Sequence, residues 1–278
     1  MDSRQVITPE LREWLLAQVA AGHSADRVLA SMQASGWDAG VAVEAIRALV
    51  PGAADDPTLD AATMPGLSEG AGHRIQAHDR EVDLVVDIQH PRIAVFRDLL
   101  SDAECDALIE LARPRLSRSE TVVNRTGQSE VNAARTSQGM FFSRGEGELV
   151  SAIEARIAAL LNWPVERGEG LQVLRYGVGA EYRPHFDYFD PAQPGTQAIL
   201  KRGGQRVGTL LMYLNTPTSG GATTFPDAGI EVRALRGSAV FFAYGQPSPL
   251  TRTLHGGAPV LAGEKWVATK WLRASRFD

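Results

Sequence analysis

The chain has 278 residues, a net charge of −5 and a pI near 5.7, with basic residues scattered rather than striped, which argues against a nucleic-acid partner. That length holds one large domain plus a small one. One cysteine, Cys105, excludes an internal disulfide framework, and no run approaches the roughly 18 apolar residues of a membrane span, so the expectation is a cytoplasmic protein with no membrane partner.

Thr8-Pro9 starts a helix, with Thr8 as N-cap and Pro9 at the first helical position, ahead of Leu11, Trp14, Leu15 and Val19 at helical spacing. Ser24 caps a second helix carrying Val28, Leu29 and Met32 that ends at Gly36, and Asp38 caps a third with Val43, Ile46 and Leu49 turned inward. Residues 1–50 therefore predict a small three-helix bundle with Trp37 in its core. It resembles ubiquitin-associated-type bundles, and a generic unit that docks a protein partner fits the same pattern.

From Pro51 the composition shifts to Pro, Gly, Ala, Asp and Ser, which predicts a linker over 51–80 and a second domain over 81–278. His73, His78 and His90 have no spaced partners and read as solvated residues. Val82, Leu84, Val86 and Ile88 alternate with Asp83, Val85 and Asp87, predicting a strand over 81–89 with one better-buried face, and Arg92 to Leu99 predicts another. Ser101, with Glu104 three residues on, is a capping box for a helix through about Ala112. Strands are expected over 119–125 and 138–143 around a polar loop, then a helix over 146–161 with Leu149, Ile153, Ile157, Leu160 and Leu161 on one side.

Beyond Leu171, strand-like runs recur at 171–176, 181–187, 206–214, 223–225, 230–232, 238–243, 251–255 and 265–272 with no helical pattern between them. Short strands in such succession predict a mainly β sandwich or jelly roll with helical support rather than a doubly wound sheet. The long stretch from Asp190 to Gly204 interrupts them as a loop placed to act as a lid.

Tyr182-Arg183-Pro184-His185-Phe186-Asp187 puts an imidazole and a carboxylate two residues apart, on one face if the segment is a strand. His255 can complete a set of two His and one carboxylate, the facial triad that holds non-haem Fe(II) with positions left open. A His-x-Asp pair is a weak signal alone. Leu254-His255-Gly256-Gly257-Ala258-Pro259-Val260-Leu261-Ala262-Gly263-Glu264-Lys265-Trp266 adds a Lys ten residues past the second His. This phrase resembles the prolyl 4-hydroxylase branch of the 2-oxoglutarate-dependent dioxygenases. Ala134-Arg135-Thr136-Ser137, Leu171-Gln172-Val173-Leu174-Arg175-Tyr176-Gly177, Arg206-Val207-Gly208-Thr209-Leu210-Leu211-Met212-Tyr213 and Gly220-Gly221-Ala222-Thr223-Thr224-Phe225-Pro226 fall in the same family order. Ala222 stands where the family has an acidic residue.

The resemblance implies a double-stranded β-helix (jelly roll) for 81–278, Fe(II) on His185, Asp187 and His255, 2-oxoglutarate and O2 as cosubstrates, and ascorbate as a reductant. It carries the C5 carboxylate of 2-oxoglutarate onto Lys265, with Tyr176 and Thr209 as hydroxyl donors, and places Arg135, Tyr182 and Trp271 beside a proline-containing protein or peptide. Strand alternation puts Lys265, Val267, Thr269 and Trp271 on one face. Three other readings stay open: hydroxylation of a free amino acid or natural-product intermediate, Zn(II)-dependent hydrolysis, and a non-catalytic binding module.

Overall fold

The computed structural model describes residues 7–23, 25–49, 64–68, 70–118, 120–122, 129–131 and 136–278. Every residue of the strand Lys265–Arg273 is buried, which requires cover on both of its faces. Alternation sorts its side chains: Trp266, Ala268 and Leu272 join one apolar cluster and Val267 another.

Three helices come first, α1 (Pro9–Ala20), α2 (Ala25–Ala34) and α3 (Ala39–Leu49). Strands β1 (Arg74–Ala77), β2 (Arg80–Ile88) and β3 (Arg92–Arg97) precede α4 (Asp102–Ala112), and β4 (Ser117–Arg118), β5 (Glu120–Val122), β6 (Ser129–Val131) and β7 (Gln138–Phe142) precede α5 (Gly147–Leu160). Then come β8 (Leu171–Tyr176), β9 (Tyr182–His185), α6 (Thr196–Leu200), β10 (Arg206–Tyr213), β11 (Ser219–Gly220), β12 (Thr223–Phe225), β13 (Ile230–Val232), β14 (Ala239–Ala243), β15 (His255–Gly257), β16 (Val260–Ala262) and β17 (Lys265–Arg273). A 9-stranded sheet runs β1-β2-β3-β14-β10-β17-β8-β7-β4, and a 4-stranded sheet runs β13-β12-β15-β9, with antiparallel pairing throughout. The architecture is mainly β.

On one face of the large sheet, α4 and α5 bury Leu108, Ile153 and Ile157 against Phe96, Val173, Leu210, Phe241 and Trp266. Its other face meets the 4-stranded sheet, where Leu174, Tyr176, Tyr213, Val240, Phe242 and Val267 pack with Phe225 and Val232. The helices seal one side so that the other can hold a pocket.

Local chemistry explains the helix ends. Thr8 Oγ1 accepts from Leu11 N at 3.3 Å with Pro9 at the first position of α1. Ser101 and Glu104 form a complete capping box on α4. Asp38 accepts from Val41 N at 3.2 Å at the start of α3, whereas Ser24 lies outside the described residues. The three helices share a buried cluster of Leu15, Val28, Leu29, Met32, Val43 and Ile46, with Trp37 half-buried against it, and the cluster also takes in Leu250.

The structure differs from the sequence reading in four places. The stretch expected as linker contains β1, which pairs with β2 in the large sheet, and Met64 and Leu67 pack on the core. In β2 a register shift between Leu84 and Val86 breaks the alternation, so Leu84 packs with one cluster and Ile88 with the other while Val86 is exposed. Of the strand expected over 251–255 only His255 lies in one, β15, while Thr251 ends a 3-10 turn, Pro249–Thr251. The expected lid over 190–204 holds α6 and is tied down: Arg273 donates to the carbonyls of Ile199 and Arg202, and the Gln205 amide bonds Phe189 N and O at 2.8 and 2.7 Å.

Lys270 points to the helical side of β17, 2% exposed, and its ammonium pairs with buried Glu154 of α5 and donates to Glu169 O. Removing one partner strands the other charge. Lys270→Ala should therefore cost about 3–5 kcal/mol in urea unfolding, and Lys270→Met combined with Glu154→Leu should recover most of it.

Candidate active site

The site forms where β9 and β15 pair. Their register sets His185 directly opposite His255, and the imidazole centroids lie 4.4 Å apart. Gly256 sits at the register shift of this pair, where a Cβ would come within 2.9 Å of Tyr182 O and 3.2 Å of Pro184 N. Only glycine lets the two strands approach this closely. β9 ends at His185, so Asp187 lies just past the strand rather than on it, with its carboxylate turned back to both imidazoles.

Asp187 Oδ1 is 3.5 Å from His185 Nε2, and Asp187 Oδ2 is 3.5 Å from His255 Nε2. One ligand atom from each of the three residues falls within 4.8 Å of the others, the only such group of His, Cys, Asp or Glu among the described residues. Both imidazoles are oriented by the same device. His185 Nδ1 bonds Arg183 O at 2.9 Å, and His255 Nδ1 bonds Thr253 O at 3.0 Å. A carbonyl can only accept, so each Nδ1 carries a proton and each Nε2 is turned toward the centre. Burial lowers the His255 pKa to about 4, keeping it neutral. Burial alone would raise the Asp187 carboxyl, but the neighbouring His255 and His185, with Arg206 beyond them, hold it well below its ordinary value. Two imidazoles with Nε2 turned inward and one carboxylate make a donor set that suits Fe(II).

A cavity partly open to solvent adjoins the three residues, with Tyr176, Tyr182, Thr209, Thr223, Lys265 and Trp271 in its wall. Lys265 is 3% exposed, and burial lowers its pKa to about 8. Its Nζ lies 5.6 Å from the Tyr176 ring centroid and 5.7 Å from that of Tyr213, and among the described residues no carboxylate pairs with it. A buried ammonium calls for an anion, so the pocket fits an anionic ligand.

Thr209 lines this cavity, but its hydroxyl is committed elsewhere. Thr209 Oγ1 donates to Asp187 Oδ2 at 2.7 Å, so Tyr244, 2.9 Å away, is the donor to Thr209. The expected cosubstrate hydroxyl is therefore an orienting group for Asp187. Thr223, which the sequence reading passed over, offers what Thr209 does not: it accepts from Tyr213 OH at 2.8 Å, leaving its own proton for the cavity. Its signal lay in the position after Gly220-Gly221-Ala222, visible only once β12 is seen to face β15.

Tyr182 stacks on His185 with centroids 3.7 Å apart. Trp271 is 8% exposed, and among the described residues its indole N–H has no acceptor. Beside it Arg206 makes a bidentate pair with Glu169 at 2.7 and 2.9 Å, its guanidinium 4.0 Å from the Trp271 ring centroid, and Arg273 joins Glu169 at 3.0 Å. These charged residues were also missed, because a pair 37 positions apart leaves no local pattern. Arg135 lies outside the described residues, as does most of the polar loop expected before it. Ala222 is 5% exposed, and its carbonyl accepts from Ala258 N at 2.9 Å.

Comparison with known proteins decides the family. Residues 171–273 match the model of the 2OG-Fe(II) oxygenase superfamily. Prolyl 4-hydroxylase 2 of Arabidopsis thaliana is 41% identical over 213 residues, 68% of this chain and 69% of the relative, and prolyl 4-hydroxylase 1 of the same plant is 45% identical over 202 residues, 66% of this chain and 69% of the relative. The chain belongs to the prolyl 4-hydroxylase family of 2OG-Fe(II) oxygenases. In structure, a viral collagen prolyl hydroxylase from Paramecium Bursaria Chlorella virus-1, solved with 2OG, matches at TM-score 0.50 and 30% identity, over 65% of this chain and 95% of that one. As a member of this family the protein is an Fe(II)- and 2-oxoglutarate-dependent dioxygenase, and its donor set and buried ammonium fit both groups.

For this oxygenase, outer-shell contacts of the kind Thr209 makes are worth about 10- to 100-fold in metal affinity. Thr209→Val keeps the shape and should weaken Co(II) by about that factor in an absorption titration, while Thr209→Ser should hold it near wild type.

Proposed function

We propose that this enzyme hydroxylates prolyl residues of a protein or peptide. What carries this reading is one juxtaposition: a buried ammonium with no carboxylate partner among the described residues, Lys265, in the wall of the same cavity as His185, Asp187 and His255. The names of the relatives, prolyl 4-hydroxylases, supply the substrate class.

In this reading His185, Asp187 and His255 hold the metal, and Lys265 takes the C5 carboxylate of 2-oxoglutarate by a charge-assisted hydrogen bond. Thr223 and Tyr176 are the neighbouring hydroxyls, and Thr209 steadies Asp187. When bound, Fe(II), 2-oxoglutarate and O2 supply the oxidising chemistry, with 2-oxoglutarate decarboxylated as the target C–H is hydroxylated. The chain's own residues bind, orient and exclude water. Leu174, Leu211 and Val267 wall the cavity, and Phe242 lies 4.4 Å from His255 between centroids. Tyr182 and Trp271 present aromatic faces that suit a proline ring, and the indole N–H of Trp271, without an acceptor among the described residues, suits a peptide carbonyl. Arg135 belongs to the same proposal. A hydrolytic role for the triad has no use for Lys265.

The proposal includes ascorbate as reductant and a reducing, cytoplasmic setting, for which the support is a single, buried free cysteine, Cys105. No described helix is long and apolar enough to cross a membrane. The helices of residues 1–50 are read as a unit of their own, and a protein partner for it remains within the proposal.

With Fe(II), 2-oxoglutarate and ascorbate supplied, tandem mass spectrometry should find one added oxygen on proline within a proline-rich peptide, with succinate formed in step. Trp271→Ala and Tyr182→Ala should reduce this more than peptide-free 2-oxoglutarate turnover. Oxygen transfer to free amino acids, with a broad peptide panel silent, would contradict the peptidyl reading.

Lys265 binds the anion as an ammonium, and burial brings its pKa down to about 8. Cosubstrate affinity should therefore fall as pH rises through about 8. Lys265→Ala should weaken 2-oxoglutarate by about 2–4 kcal/mol in calorimetric titration while leaving metal binding in place.

A further inference from the structure

We propose that α3 positions His255 through the turn preceding it, with Leu250 and Arg252 as positioning residues. The proposal rests on the reading of His255 as a metal ligand.

No described residue of the N-terminal helices lines the metal cavity, yet they are seated on the segment that leads to it. Leu250, 2% exposed, is buried among Leu15, Met32, Val43 and Ile46, and α3 packs on the turn Pro249–Thr251. A polar contact lies alongside. Arg252 donates to Asp227 O through Nε at 3.0 Å and through Nη2, while its backbone adopts a left-handed φ of 54°. Burial raises the Asp227 carboxyl, Arg252 opposes the rise, and Asp38 at the start of α3 adds to it, so the helix end and this corner share one electrostatic environment.

A chain of bonds runs from the turn to the imidazole. Ser248 Oγ accepts from Leu250 N at 3.2 Å, and Thr251 Oγ1 donates to Ser248 O at 2.8 Å. With that proton spent, the Thr251–Thr253 contact at 2.9 Å has Thr253 as donor. The Thr253 carbonyl then accepts from His255 Nδ1 and aims Nε2 at the site. His185 uses the same two-residue device, but its carbonyl belongs to Arg183 within β9, held by a sheet. The carbonyl for His255 belongs to a short loop whose apolar anchor is buried among helices rather than in the β core. Such loops open at low free-energy cost unless braced. The brace is α3.

The test uses the full chain and Co(II) alone as probe. Leu250→Ala and, from the helix side, Ile46→Ala should each speed hydrogen exchange over 39–49 and over 251–257, and weaken Co(II) by roughly tenfold, at the lower end of outer-shell effects. Faster exchange in 39–49 with 251–257 and Co(II) affinity unchanged would overturn the proposal, leaving the helices merely seated. Unchanged exchange in 39–49 would also overturn it, because the shared cluster would not be holding. Should Leu250→Ala fail to fold, Ile46→Ala carries the test. If the wild-type chain binds no Co(II), the metal reading fails first, and the exchange data still judge the brace.

Discussion

A buried ammonium, Lys265, with no counter-charge among the described residues is the constraint on which the site depends. β17 carries two buried ammonium groups five positions apart, on opposite faces of one strand, and the fold treats them differently. Lys270, toward the helices, is neutralised by Glu154. Lys265, toward the cavity, has the rings of Tyr176 and Tyr213 beside it and no paired carboxylate among the described residues, and burial depresses its pKa. Leaving a charge in that state is costly unless a ligand completes it. The large sheet, its helical backing and the close β9–β15 pairing together make that arrangement rigid enough to persist.

The parity of β17 was legible because it depends only on the two-residue period of a strand, and the capping box of α4 because it depends on residues three apart. The break in β2 was not legible: a register shift leaves the residue pattern intact while moving Val86 out to solvent. Nor was the place of β1, whose short, polar segment becomes a strand only because β2 offers it an edge. Tertiary pairing outweighed composition there.

At the site, the residue types of the triad could be read from spacing and family phrase, but hydroxyl roles could not. Thr209 and Thr223 look alike in sequence. Which one points a free proton at the cavity follows from what else each bonds, namely Asp187 and Tyr244 for the first and Tyr213 for the second. The same holds for Glu169, Arg206 and Arg273, which meet only after the sheet has formed. Long-range polar networks have no sequence period. They appear only once the register is known.

The most direct test of the central claim is an anaerobic titration of the Fe(II)-loaded chain with 2-oxoglutarate and, separately, with 2-oxobutyrate, which keeps the metal-binding end and lacks the distal carboxylate. The account predicts saturation by one equivalent of 2-oxoglutarate and binding of 2-oxobutyrate weaker by roughly tenfold or more, the value of a charge-assisted hydrogen bond to Lys265. Equal affinity for the two acids would contradict it, because the buried ammonium would then have no part in holding the cosubstrate.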